Sequence, residues 1–123
     1  MNRELLSYSI TQDFTVRQAI DQMNQNRVGI LIVINPEGIL LGTVTDGDVR
    51  RAILKGVSLS SSVEEIMCRH PLTVSPPTAP SDVLQVMEEH RLHHIPVLDD
   101  DNRVVDLLHI GDFLESPNHF STA

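Results

Sequence analysis

Two Gly-Asp pairs, Gly47-Asp48 and Gly111-Asp112, stand 64 residues apart, each at the start of a short helical pattern. Thr45 precedes Asp48 by three residues, the spacing of a capping box, in which hydroxyl and acid satisfy the orphan N–H groups of a helix start for about 1 kcal/mol. Repeated at equivalent places in two units, the same carboxylate also marks a pair of candidate ligand sites at the seam. Arg50 and Arg51 add positive charge within a turn, but adjacent helical positions diverge by about 100°, so one of the two is expected to face a cleft. His90, His93, His94 and His109 invite a metal reading. Against it, His93 and His94 are neighbours on an expected strand and point to opposite faces, and no Cys or carboxylate completes a ligand set at usual spacing. A cleft-lining role for His93 or His94 stands beside a surface or packing role. Cys68 lies next to Arg69 and His70 but has no resolving partner, which favours a plain linker residue. Asp99, Asp100 and Asp101 read as a solvated turn. No Ser/His/Asp or Cys/His set has positional support, so catalysis by this chain alone is not expected.

The elements that must position these residues repeat at the same offset: Met23 matches Met87, Arg27 matches Arg91, and Val33 matches Val97. In the first unit, Thr15-x-x-Gln18 opens a helix with Val16, Ala19, Ile20 and Met23 on one face, ending near Asn26. Gly29 to Ile34 is a β-branched apolar run suited to a strand covered on both faces. Asn35-Pro36-Glu37-Gly38 turns the chain into a returning strand, Ile39 to Val44, and a helix over Val49 to Lys55 closes at Gly56. In the second unit Pro80 occupies the first helical position, where no intrahelical N–H is lost. His94 to Leu98 and Val104 to Leu108 are the paired strands around the Asp99-Asp100-Asp101-Asn102 turn, and Gly111 to Glu115 starts the last helix. Between the units Ser62-x-x-Glu65 predicts a linker helix through Val63, Ile66 and Met67 that stops before His70-Pro71. The expected organisation is a first unit over 1–57, a linker helix over 58–71, a second unit over 72–115 and an unpatterned tail over 116–123.

The 123 residues, 41% of them apolar, suffice for one compact domain whose core runs across the seam, because a unit of about 60 residues is marginal alone. Ile, Leu, Val and Met must fill that core, since the aromatic residues are only Tyr8, Phe14, Phe113 and Phe120. A net charge of −8 with dispersed Lys and Arg argues against duplex nucleic acid or a membrane surface as partner. The single cysteine precludes an internal disulfide. Lacking a secretory leader and a bilayer-length apolar run, the chain is expected in the cytoplasm.

Gly42-Thr43-Val44-Thr45-Asp46-Gly47-Asp48-Val49-Arg50-Arg51-Ala52-Ile53 resembles the signature of cystathionine-β-synthase (CBS) domains: a glycine, a hydrophobic residue, Thr or Ser, two spacers and Asp. His94-Ile95-Pro96-Val97-Leu98-Asp99 is similar to the family's strand with Ile-Pro-Val. Both units also have an extended lead-in, Ser9-Ile10-Thr11 and Thr73-Val74-Ser75. The resemblance covers almost the whole chain and implies an α/β (α+β) fold of two pseudo-twofold-related repeats, each a small sheet packed on two helices, together one Bateman-type module. It further implies regulatory binding of an adenine nucleotide, AMP, ADP or ATP, with no catalytic cofactor and no metal. On that reading Asp48 and Asp112 accept the vicinal hydroxyls of a ribose. Thr45 meets phosphate at the helix mouth, with Arg50 adding charge, and apolar backbone around Ile95 and Pro96 holds the purine. The second site departs from the pattern, with Asp106 at the place of Gly42 and His109 at that of Thr45. Unequal clefts follow, the Asp48 site being the better for a nucleotide.

The phrase from Thr43 to Gly56, followed by Val63-Glu64-Glu65-Ile66-Met67, looks most like pairs fused to sugar-phosphate nucleotidyltransferase domains, which implies such a catalytic domain in cis. A similar Thr-Asp-Gly-Asp phrase accompanies sugar-phosphate isomerases. The family's usual assembly, a homodimer of flat discs, is expected as well. A ligand-independent dimerisation scaffold is the alternative.

Overall fold

The computed structural model describes residues 3–27, 29–76 and 79–111. The first unit runs α1 (Arg3–Ser7), β1 (Ser9–Thr11), α2 (Val16–Asn26), β2 (Ile30–Ile34), β3 (Leu40–Thr45), α3 (Asp46–Leu54). After one 3-10 turn at Val63–Glu65 come α4 (Pro80–Glu89), β4 (His94–Leu98) and β5 (Val104–His109). The mixed α+β architecture expected from the sequence is present. The expected helix over Gly111 to Glu115 and the tail lie largely or wholly outside the described residues.

Thr15 caps α2 as its sequence requires: its hydroxyl accepts the Gln18 N–H at 3.1 Å and Gln18 Oε1 accepts the Thr15 N–H at 2.9 Å. Val16, Ala19 and Met23 then form the buried stripe of that helix. β2 pairs parallel to β1 and antiparallel to β3, and four of its five residues are buried. Its β-branched run therefore sits in the centre of a three-stranded sheet, where both faces are covered.

The second unit repeats this arrangement. β4 and β5 pair antiparallel, Val74 bridges Val97 in parallel as Ile10 does Val33, and both hairpins carry a register shift at the same place, Val33/Ile34 and Val97/Leu98. The turns match in detail. Asn35 Oδ1 accepts from the N–H groups of Glu37 and Ile39, and Asp99 Oδ1 from those of Asp101 and Arg103, each bond being 2.9 Å. Gly38 and Asn102 both take positive φ, 84° and 65°, the conformation that Gly and Asn adopt most readily. These two turns meet each other. The Leu40 N–H donates to Asn102 O at 3.1 Å and the Val104 N–H donates to Gly38 O at 3.0 Å, a reciprocal pair about the pseudo-twofold axis.

Burial follows the duplication. One cluster belongs to the first unit, with Ile10, Leu31, Val44 and Val49 joined by Val63 and Met67 of the linker. Another joins Val83, Met87 and Ile95 in the second unit. The third crosses the seam, where Leu5 and Ile32 pack against Leu98 and Val104. The core thus runs between the repeats, as the small size of each unit demands.

Three differences from the sequence expectation have local causes. The linker helix is a single 3-10 turn, because Ser62 accepts the Glu64 N–H at 3.1 Å and Cys68 then pairs with Thr43, which draws the chain into an extended course. Helix α3 starts at Asp46 rather than Val49, since the Thr45 cap lies directly at the end of β3. Helix α1 was not anticipated; at five residues it has no periodicity to read, and Leu5 is buried only through the seam cluster. Its end is tied to α2 by Gln22 Nε2, which donates to Ser7 O at 2.8 Å.

Candidate functional site

A cleft of about 1060 Å³ opens between the two units, with walls from equivalent parts of each. Thr45, Asp46, Gly47 and Asp48 line it from the β3–α3 junction, and His109 lines it from the matching end of β5. The matched pair Arg27 and Arg91 both line it, as do Ile30 and His94 at the starts of β2 and β4. The linker closes the cleft through Cys68, His70, Pro71 and Leu72.

The capping box at the heart of the first wall is complete. Asp48 Oδ2 accepts from the Thr45 N–H at 2.9 Å and from the Thr45 hydroxyl at 3.0 Å, while the Asp48 N–H donates to Thr45 Oγ1 at 3.2 Å. Asp48 Oδ1 accepts from Arg51 at 2.7 Å, with the Asp48 side chain only 15% exposed. Capping and ligand binding do not exclude one another here. A carboxylate offers about four lone-pair positions, and three contacts from protein donors leave room for a hydroxyl at the open edge. The guanidinium paired with Asp48 is that of Arg51; Arg50 is exposed and is not among the residues around the cleft.

Pro96 lines the cleft, whereas the side chain of Ile95 is fully buried against Val83 and Met87 and faces away into the core. His109 lines it and accepts the Gly111 N–H on Nδ1 at 2.9 Å. Asp112, the counterpart of Asp48, lies outside the described residues. Of the named site residues, Thr45, Asp48, Pro96 and His109 are therefore brought together, and Arg50 and Ile95 are not.

The cleft-lining role weighed for His93 or His94 applies to both, because His93 precedes β4 and the strand's alternation does not yet apply to it. Other cleft residues escaped the sequence reading. Arg27 and Arg91 follow α2 and α4 with φ of 58° and 55°, left-handed values uncommon for a side chain of that size. The available signal was their identity at the repeat offset, which placed them as a matched pair without indicating the cleft. Tyr8 and His70 enter from segments distant in sequence and carried no signal at all.

The glycine at position 42 has a structural reason. A Cβ on Gly42 would stand 2.5 Å from Cys68 O, because the linker pairs with β3 there: the Thr43 and Cys68 backbones exchange hydrogen bonds of 3.0 and 2.8 Å. No group of three or more metal-capable side chains occurs among the described residues.

A duplicated α/β unit with a polar cleft at the seam of its repeats defines the class of this protein. The family model for the CBS domain matches residues 1–55 and again 63–118. The chain belongs to the CBS-domain family, as a tandem pair. It is 30% identical over 99 residues to arabinose 5-phosphate isomerase KdsD of Pseudomonas aeruginosa, covering 80% of this chain and 30% of that protein. The chain spans about a third of the length of the first curated relatives it matches, 32%, 32% and 30%. Among solved structures, the CBS domain protein PAE2072 from Pyrobaculum aerophilum, complexed with AMP, superposes with a TM-score of 0.79 at 22% identity, covering 94% of this chain and 91% of that one. The CBS domain pair of protein MJ0100, complexed with 5-methylthioadenosine and S-adenosyl-L-methionine, gives 0.79 at 22% identity over 94% and 89% of the two chains. At that identity both establish the fold.

Proposed function

We propose that this chain is a regulatory module that binds an adenine nucleotide, AMP, ADP or ATP, in the cleft between its repeats and thereby controls an enzyme of sugar-phosphate metabolism. The observation that carries the reading is the placement of the Asp48 carboxylate, nearly covered yet on the cleft wall, beside a helix mouth. There its open edge can accept a ribose hydroxyl, with Thr45 beside it on the same wall. The adenosyl ligands named for the two structural neighbours support the choice of ligand class. Asp112 is the matching ribose acceptor in the second half, and Asp48 marks the stronger half because the hydroxyl of Thr45 has become the imidazole of His109.

For the enzyme under control, the similarity to arabinose 5-phosphate isomerases at 30–31% identity supports a sugar-phosphate isomerase. It moves that alternative ahead of the nucleotidyltransferase host expected from the sequence. The domain pair itself carries regulation rather than catalysis. No helix among the described residues is long and apolar enough to cross a membrane; we place the protein in the cytoplasm.

Thermal unfolding with a nucleotide panel tests the ligand. A ligand that binds only the folded state stabilises it by about 2.7 kcal/mol at a hundredfold excess over its dissociation constant. Asp48→Ala should remove that stabilisation; Thr45→Ser, which keeps the capping hydroxyl, should retain it. Equal nucleotide responses in the two variants would reduce Asp48 to a capping residue. A second reading, association as a homodimer without ligand, is favoured by Ile53 and Leu54, 52% and 81% exposed at the end of α3. It predicts a dimer in solution indifferent to every nucleotide.

A further inference from the structure

Helix α1 owes its place to groups that also form the cleft. At five residues it is far too short to persist as a helix on its own, so its order is borrowed from what it touches. Leu5 is buried in the seam cluster, and the carbonyl of Ser7 accepts from the side-chain amides of Gln22, at 2.8 Å, and of Asn26. One residue, Tyr8, joins α1 to β1. Its N–H donates to Leu5 O at 3.1 Å and its carbonyl accepts from the Ile32 N–H at 2.7 Å, which fixes the joint between helix and sheet. Ser9 Oγ adds a bond to Leu5 O at 2.7 Å. Tyr8 and Asn26 both line the cleft, whereas Gln22 does not. The second repeat anchors the same place differently. Leu72, the equivalent of Tyr8 at the 64-residue offset, also lines the cleft, but the chain before it is held by the backbone pair of Cys68 with Thr43.

We propose that α1 is the output arm of the module: a ligand in the cleft fixes Tyr8 and Asn26 and thereby tightens α1 on the seam, so that occupancy is passed on as the docking of this helix. The proposal rests on the adenosyl reading above and adds the element that reports it. Strands β2 and β3 are fixed by their ladder and by buried side chains, which leaves a ligand little to reorder there. Helix α1 belongs instead to the segments whose opening costs little, since side-chain amides and one buried leucine hold it. A ligand that meets Tyr8 and Asn26 in their docked positions binds the docked state better, and the population shifts toward it. The coupling is reciprocal: whatever loosens α1 must weaken the ligand by the same factor.

Hydrogen–deuterium exchange of the whole chain, with and without saturating AMP, reads the docking of α1 directly. AMP should slow exchange in the peptide covering residues 3–9 by about fivefold or more, the lower range of ordinary coupling between sites. Calorimetry with AMP on Gln22→Ala supplies the reciprocal half. That change removes one tether without touching the cleft wall, and AMP affinity should fall by about threefold or more while saturating AMP restores protection to residues 3–9. The exchange comparison on the unaltered chain stands whether or not the variant folds. AMP that binds without changing exchange in residues 3–9, or that binds a folded Gln22→Ala as tightly as the parent, overturns the output arm and leaves the adenosyl reading in place. Failure of AMP, ADP and ATP to bind the unaltered chain overturns both.

Discussion

At the scale of single residues, the cleft is built from side chains with two roles. Thr45 and Asp48 complete a capping box and also stand on the cavity wall, so their exchange separates stability from binding. Thr45→Ala should lower stability by about 1 kcal/mol, readable in urea denaturation. Arg27 and Arg91 show a sharper conflict. Both hold left-handed backbone conformations, which glycine adopts with less strain, yet both place a guanidinium-bearing residue at the cleft. Arg91→Gly should therefore keep the midpoint of unfolding or raise stability by up to about 1 kcal/mol. The same substitution should weaken AMP binding by about tenfold or more, since it removes a charge-assisted contact to phosphate. Denaturation and calorimetry on one sample check both halves of that expectation.

The elements explain why two repeats with one fold are unequal. In the first, the linker lies against β3, and Gly42 is the residue that lets Cys68 O approach. Gly42→Ala should break that contact and lose about 1–3 kcal/mol, with the midpoint of urea unfolding as the measure. Asp106→Ala, at the matching place on β5, should change stability by less than about 1 kcal/mol. The same comparison shows what was readable in the chain. Helix α2, β4 and the proline start of α4 were legible from caps, β-branched runs and the missing N–H of Pro80. The linker was misread, because its capping pattern is locally sound but pairing with β3 overrides it. His93 was assigned by strand alternation, and it lies one residue before the strand begins.

For the molecule as a whole, the seam is the decisive feature. Leu5, Ile32, Leu98 and Val104 form a cluster that belongs to neither repeat alone, and the two turns exchange backbone hydrogen bonds across the pseudo-twofold axis. Leu5 is 2% exposed although it comes from a five-residue helix with no strong signal of its own. Leu5→Ala should cost about 2–5 kcal/mol, in line with large-to-small changes in tight cores. Both repeats should still unfold in one transition, followed by circular dichroism against urea, because neither can keep its core without the other. A ligand bridging the cleft touches both units and should raise that single transition rather than split it.

Local chemistry was written in the letters: a cap at Thr45 needs only its own helix, a turn at Asn35 only the next four residues, and duplication only a comparison of the chain with itself. From these the paired repeats, their seam and the Asp48 position on it could be anticipated. The assembly of the cleft could not. Tyr8, Arg27, His70 and His109 come together because two hairpins dock turn to turn and a linker crosses one sheet edge. Such contacts join residues far apart in sequence through backbone pairing and shared apolar burial, which leave no periodic trace in any one segment. Tertiary structure alone gathered five histidines on one cavity and turned Ile95 inward while keeping Pro96 at the wall.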